Sequence, residues 1–167
     1  MKAKAMQRML LVDPEKCTGC NLCEIACSMK NEGVCNPTAS RIHVVKWIRS
    51  GVYVPMVCQQ CEEPICQTVC PMSCIEKDDT TGTLLIDYDR CVGCKLCAIF
   101  CPFGGVGIDA TRGRVIKCEL CGGDPVCVKF CRPGALQFVP VTRVNLLKQR
   151  AAAERYSELM KKLMPPP

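Results

Sequence analysis

Apolar residues along this 167-residue chain come in short bursts separated by polar turns, with no long run of either kind. Alternating or β-branched stretches predict strands at Leu10–Val12, Arg41–Trp47, Val52–Pro55, Leu84–Asp87, Arg114–Ile116 and Leu136–Val139. Short helices are predicted to begin near Leu22, Cys66, Leu96 and Cys127, each carrying the last cysteine of a cysteine block. The turn Asp78-Asp-Thr-Thr-Gly82 reads as a hairpin flanked by a β run. Strand, loop and helix repeated in this way predict an α+β fold. A different pattern begins at Thr142, which can cap a helix from Arg143 to about Met164, where three prolines stop it. At about 100° per residue, Ala152, Tyr156, Leu159, Met160 and Leu163 share one arc of that helix. Arg150, Glu154, Arg155, Glu158, Lys161 and Lys162 fall on the other side.

The same pattern bears on location. The N-terminal apolar stretch is only Met9 to Val12, too short for a secretory signal. The longest charge-free run, Leu96 to Ile108, contains Pro102 and three glycines, whereas a spanning helix needs about 20 apolar residues. The expected location is the cytoplasm, with no membrane span, where thiols stay reduced.

Composition then changes the picture. Eighteen residues are cysteine, against four Phe, three Tyr and one Trp. With so few large side chains for a core, the cysteines must staple the fold as disulfides or as metal ligands. Sixteen of them fall in four blocks. Val12-Asp-Pro-Glu-Lys-Cys17-Thr-Gly-Cys20-Asn-Leu-Cys23-Glu-Ile-Ala-Cys27 matches Ile86-Asp-Tyr-Asp-Arg-Cys91-Val-Gly-Cys94-Lys-Leu-Cys97-Ala-Ile-Phe-Cys101. Cys58-Gln-Gln-Cys61-Glu-Glu-Pro-Ile-Cys66-Gln-Thr-Val-Cys70 matches Cys118-Glu-Leu-Cys121-Gly-Gly-Asp-Pro-Val-Cys127-Val-Lys-Phe-Cys131. The order is a duplicated pair of units. In the C-x2-C-x2-C-x3-C run, three thiols on a tight loop wrap three corners of one iron–sulfur cubane. The fourth points to a neighbouring cluster. Gly19 and Gly93 suit close backbone approach to an inorganic core. The short spacer between the second and third blocks pairs them as an inner two-cluster module, which leaves the first and last blocks to pair as an outer one.

Zinc sites use separate C-x2-C doublets and fit triplets with a fourth cysteine poorly. A disulfide scaffold requires secretion, which the N-terminus does not support. The net charge of +6 counts every cysteine as neutral. With sixteen thiolates and four oxidised clusters it becomes about −2, so the basic excess compensates buried anions. Lys and Arg are scattered without interleaved aromatics, which argues against a nucleic-acid surface. No catalytic triad, carboxylate pair, phosphate loop or dinucleotide fingerprint occurs, so catalytic residues are expected to be none. Of the two remaining cysteines, Cys74 aligns with Ala135 in the repeat and is expected in the core. Cys35 is expected to be a free thiol. His43 is expected on a strand face, and Trp47 in packing or partner contact.

The stretch from Leu10 to Val139, with Pro55-Met-Val-Cys58 through Cys70-Pro71 and Ile86-Asp-Tyr-Asp-Arg-Cys91, resembles the four-cluster ferredoxin subunits of multi-subunit oxidoreductases. These include iron–sulfur subunits of the dimethyl sulfoxide reductase family, hydrogenase-linked polyferredoxins and small subunits of tungsten aldehyde oxidoreductases. The resemblance implies two ferredoxin-like modules, the inner nested in the outer: residues 1–57 with 114–140 outside, 58–113 inside, and 141–167 as a C-terminal helical arm. It implies four [4Fe–4S] clusters with crossed ligation. Cys17, Cys20, Cys23 and Cys131 would hold one, and Cys118, Cys121, Cys127 and Cys27 its partner. Cys58, Cys61, Cys66 and Cys101 would hold a third, and Cys91, Cys94, Cys97 and Cys70 the fourth. The expected function is non-catalytic electron transfer between a catalytic subunit, of tungsten or molybdenum pterin type, and a second redox partner such as a flavin subunit or soluble ferredoxin. The alternative is a polyferredoxin of a hydrogenase, formate or CO dehydrogenase system, or a freely diffusing one. The amphipathic arm is expected either to fold back on its own domain or to dock on another subunit or a second copy.

Overall fold

A computed structural model describes residues 8–163. The elements in chain order are β1 (Arg8–Val12), α1 (Leu22–Glu32), β2 (Ile42–Trp47), β3 (Val52–Val57), α2 (Ile65–Thr68), β4 (Ile75–Lys77) and β5 (Leu84–Ile86). They continue with α3 (Leu96–Ile99), β6 (Val106–Asp109), β7 (Arg114–Lys117), α4 (Val126–Lys129), β8 (Leu136–Pro140) and α5 (Val141–Leu163). The fold is α+β, with four separate two-stranded antiparallel sheets. Strands β2–β3, β4–β5 and β6–β7 are hairpins, while β1 pairs with β8 in the register Leu10↔Phe138 and so joins the two ends of the cysteine-bearing region.

Two hairpins share one turn chemistry. Asp78 accepts from the amides of Thr80 and Thr81 at 2.7 and 2.8 Å, and Asp109 accepts from those of Thr111 and Arg112 at 2.9 and 3.3 Å. Four residues after each aspartate a glycine with φ near 70° donates its N–H back to the aspartate carbonyl at 2.8 Å. That conformation carries little strain only for glycine. The Thr80 hydroxyl and the Thr81 and Thr80 amides hold the Asp78 carboxyl down at about 2.

Several expectations are corrected. Strands β4 and β6 fall where no separate strand was expected. Strands β6 and β7 pair as a hairpin across the expected division at residues 113/114, a division that this pairing neither supports nor overturns. Only α1 carries the last cysteine of its block. Helices α2, α3 and α4 are single turns that end before Cys70, Cys101 and Cys131. Helix α5 starts directly after Pro140, so Thr142 lies inside it and is not its cap. The expected stop at the three prolines lies outside the described residues.

Apolar burial is split between two cores, and cysteine contributes heavily to both. One gathers Leu10, Ile42, Val57 and Leu136 with Cys23, Cys27, Cys58, Cys118 and Cys127. The other gathers Ile75, Leu84, Ile86, Val106 and Val115 with Cys66, Cys74 and Cys97. Charge ties the first to the β6–β7 hairpin. The buried Glu32 carboxylate at the end of α1 meets Arg112, Arg114 at 3.4 Å and Arg41 at 3.8 Å, and Arg41 also pairs with Glu119 at 3.0 Å. The Arg114 guanidinium stacks 4.7 Å above the Tyr88 ring. Helix α5 leans on β8 and β1 near its start, and Arg155 pairs with Glu15 at 2.6 Å. Its Leu146, Tyr156, Leu159 and Met160 are exposed. Among the described residues no helix is long and apolar enough to cross a membrane.

Glu32→Ala removes the one carboxylate that three arginines share. It is expected to cost about 3 kcal/mol, as for other broken buried ion pairs. The check is denaturant unfolding of the loaded protein, where the transition should move to lower denaturant.

Candidate metal centres

The four cysteine loops share a backbone feature that their sequences only half reveal. The residue just before the second cysteine is left-handed in all four: Gly19 (φ 69°), Gln60 (50°), Gly93 (68°) and Leu120 (53°). In the first and third loops the next non-cysteine residue, Asn21 or Lys95, is left-handed too and opens the helix. Turning these residues over curls each loop so that its thiols face inward. Glycine does this at no steric cost, whereas Gln60 and Leu120 carry a penalty of about 1–2 kcal/mol each. At Gln60 the side chain offsets it by bonding: its Nε2 donates to the Cys118 carbonyl at 2.7 Å, and its Oε1 accepts from the Leu84 amide at 2.9 Å.

Three small hollows lie inside these loops. Cys17, Cys20, Cys23 and Cys131 line one, here site I. Cys27, Cys118, Cys121 and Cys127 line site II. Cys70, Cys91, Cys94 and Cys97 line site IV. For the remaining four, site III, burial raises the Cys66 thiol and the Lys117 ammonium lowers it. The neighbouring thiols of Cys58, Cys101 and Cys61 then add to the rise. The expected quartets of sites I, II and IV therefore each line one hollow, and the site III thiols are near enough to act on Cys66.

The fourth cysteine of every block receives a backbone N–H. Arg41 donates to Cys27 Sγ at 3.3 Å, Cys74 to Cys70 at 3.4 Å, Gly105 to Cys101 at 3.3 Å and Leu136 to Cys131 at 3.4 Å. Such bonds favour the thiolate over the thiol. Burial works against them. It pushes Cys23 and Cys118 up to about 12 and Cys97 to about 11, and raises Cys127 further still. These thiols hold their protons at neutral pH until a metal displaces them. Among the described residues no three His, Cys, Asp or Glu side chains form a site for a single ion. Soft sulfur donors, four to a cavity and bonded by amides, fit a polynuclear iron–sulfur core.

The comparisons agree. A model of the 4Fe-4S dicluster domain matches residues 49–141. The chain belongs to the 4Fe-4S dicluster domain family. A 4Fe-4S binding domain matches residues 10–28 as well. The chain is 39% identical to the aliphatic sulfonate oxidoreductase polyferredoxin-like subunit of Pyrococcus furiosus, covering 87% of this chain and 84% of that one. It is 37% identical to the NADH-dependent phenylglyoxylate dehydrogenase subunit beta of Aromatoleum evansii, covering 79% of this chain and 30% of that one. It is 31% identical to the B subunit of the anaerobic dimethyl sulfoxide reductase of Escherichia coli, covering 80% and 74%. This dicluster-family protein is a non-catalytic [4Fe–4S] electron-transfer protein, similar to subunits of oxidoreductases.

Two features of the dicluster protein's centres escaped the sequence. Cys74 is buried in the core, but its Sγ also lies 3.3 Å from Cys70 Sγ and lines site IV. Burial and the adjacent Cys70 raise its thiol to about 12. Burial also acts to raise Cys70, but the Cys74 amide and thiol outweigh it and hold Cys70 below the usual range. The alignment with Ala135 pointed to burial and hid this contact. The second feature is Gly105, where an added Cβ would stand 2.7 Å from Cys58 Cα. Cys35 is exposed, His43 lies half-buried on β2, and Trp47 is exposed at the end of that strand.

Gly105→Ala would push its new methyl group into the backbone of Cys58. The expected outcome is loss of about one cluster in four, with iron and acid-labile sulfide falling together. Gly104→Ala meets nothing within 4 Å and leaves the metal content near wild type despite its positive φ. Metal and sulfide assay after anaerobic purification checks both.

Proposed function

We propose that this protein carries four [4Fe–4S] clusters as a wire between a catalytic oxidoreductase subunit and a second redox partner. Sites I to IV take the ligand sets Cys17/Cys20/Cys23/Cys131, Cys118/Cys121/Cys127/Cys27, Cys58/Cys61/Cys66/Cys101 and Cys91/Cys94/Cys97/Cys70. Each cluster, when bound, accepts and passes one electron. The protein supplies the thiols, the amides that bond them and the spacing between sites. In this reading sites III and IV form an inner module nested within an outer one that holds sites I and II.

The observation that carries the reading is how thiols of different sites share the two cores. Cys23 of site I, Cys27, Cys118 and Cys127 of site II and Cys58 of site III pack in one, and Cys66 of site III packs with Cys97 of site IV in the other. The Gln60 side chain in the site III loop bonds the Cys118 carbonyl of site II. In this reading the sites form a line, I–II–III–IV. Its ends also differ from its middle. Cys20 at site I and Cys94 at site IV are exposed, while sites II and III have no exposed thiol. Exposed apolar residues rim the ends, Leu22 and Phe130 at site I and Met72 and Val92 at site IV. Electrons enter at one end and leave at the other, where partners dock.

The catalytic partner is a tungsten or molybdenum pterin subunit. That choice rests on the resemblance over Leu10–Val139 and on relatives named as sulfonate oxidoreductase and dimethyl sulfoxide reductase subunits. A flavin subunit or a soluble ferredoxin is the second partner. Helix α5 is the docking arm, since its Tyr156, Leu159 and Met160 are exposed. A freely diffusing carrier has no need of such an arm.

Iron and sulfide assays are expected to give about 16 of each per chain. In Cys27→Ala the cluster at site II should be disturbed and the one at site I spared, which separates crossed from local ligation. Fewer than about 12 irons after full reconstitution, or stoichiometric zinc, would sink the four-cluster reading.

Ending the chain at Pro140 should leave the iron content unchanged and release the partner on size-exclusion chromatography of the native complex. A truncated chain that keeps its partner but loses clusters would make α5 an internal brace instead.

A further inference from the structure

Lys117, the last residue of β7, is the largest fully buried side chain among the described residues, with no exposed surface. A buried lysine ordinarily has a carboxylate beside it, because an isolated charge is costly to remove from water. None of the ion pairs among the described residues involves Lys117. Its Nζ instead faces three neutral oxygens, the Leu84 carbonyl at 2.7 Å, the Cys118 carbonyl at 3.3 Å and Gln60 Oε1 at 3.4 Å. Three acceptors match the three donors of an ammonium. A neutral amine would have a lone pair facing only other lone pairs. The geometry therefore calls for a cation, and its counter-charge must come from elsewhere.

Negative charge lies on either side. Lys117 directly precedes Cys118 of site II, and its ammonium acts on Cys66 of site III. Gln60, between Cys58 and Cys61 of site III, clamps the arrangement through the Cys118 carbonyl and the Leu84 amide. We infer that Lys117 is a positioning residue that holds a fixed positive charge at the junction of sites II and III and raises the reduction potential of the cluster at site III. Adding an electron there increases negative charge beside a cation that water does not screen. The electron is thus held in the middle of the wire, away from both exposed ends. The inference rests on the four-cluster reading and adds to it a residue that is not a ligand.

The test uses the full chain, loaded and purified anaerobically, with iron and sulfide assayed on every sample. Potentiometric titration followed by electron paramagnetic resonance gives the midpoint of each cluster, and Cys101→Ser identifies the site III signal. Lys117→Met should lower the site III midpoint by at least about 59 mV, tenfold in a one-electron equilibrium. Site II, whose Cys118 carbonyl also bonds Lys117, should fall as well, while sites I and IV stay within twofold. Lys117→Arg, which keeps the charge, should restore the site III midpoint to within threefold. If Lys117→Met fails to load, Lys117→Gln decides, because its amide keeps donors for the buried carbonyls without the charge. The same tenfold fall is expected there. Unchanged midpoints with all four clusters present, or an equal fall in Lys117→Met and Lys117→Arg, would make Lys117 a purely structural residue. Fewer than four clusters in the wild type would instead overturn the wire itself.

Discussion

Sixteen thiols must be gathered in fours before any metal can join them, and the rest of the fold depends on that gathering. Burial, with neighbouring thiols adding to it, pushes Cys23 and Cys118 up to about 12, so in the protein interior the thiol resists becoming the thiolate that iron requires. Each quartet would also concentrate like charge. Loading relieves both costs at once, since the metal displaces the protons and neutralises the sulfur. The apolar contacts of the chain reflect this. Both cores are aliphatic residues packed around cysteines, and the sheets are four isolated ribbons of two strands each. Such ribbons are marginal alone, so their stability comes from what they pack upon, which is the thiol loops.

In the proposed ligation, crossing of the fourth cysteine turns four local loops into two linked pairs. A loop supplying all four thiols to its own cavity would make each site an independent bead. Here Cys131 comes from the far end of the chain to the cavity of Cys17, Cys20 and Cys23, and the β1–β8 pair closes over the same span. Each late cysteine is oriented by a downstream amide rather than by its helix. For three of the four blocks the helix has already ended, and the chain turns back four or five residues later to donate an N–H. The single turns α2, α3 and α4 thus act as corners, while α1 is long enough to carry Glu32 out to the arginines of the β6–β7 hairpin.

What was legible in the sequence follows from which interactions are local. The cysteine spacing, the duplicated blocks and the strands Ile42–Trp47 and Val52–Val57 rest on short-range pattern, and the structure has them. Strand Val106–Asp109 was not legible, because Gly107 interrupts the apolar run and its partner alone makes it a strand. The left-handed turns at Gln60 and Leu120 were hidden because those residues ordinarily avoid that region, and only alignment with Gly19 and Gly93 in three dimensions exposes them. Thr142 looked like a cap because capping chemistry is local, yet Pro140 passes straight from β8 into α5. Lys117 was one of 22 basic residues, and nothing in its neighbours along the chain marks it as buried.

In the proposed wire, the junction between sites II and III is where stability and electron flow meet. Cys58 belongs to site III yet packs in the core that surrounds sites I and II. Gly105 lies against its backbone, and Gln60 and Lys117 bind the Cys118 and Leu84 carbonyl groups and the Leu84 amide that frame it. Each of these contacts engages backbone on at least one side, and those of Lys117 are fully buried, so they leave little room for the two halves to slide. A wire needs that rigidity at its inner step, because no partner can close a gap there. The end sites need the opposite, an exposed thiol and apolar neighbours that a partner can cover. The placement of bonding therefore follows the direction of transfer. It is densest where the protein alone must hold two clusters together and thinnest where another protein completes the path.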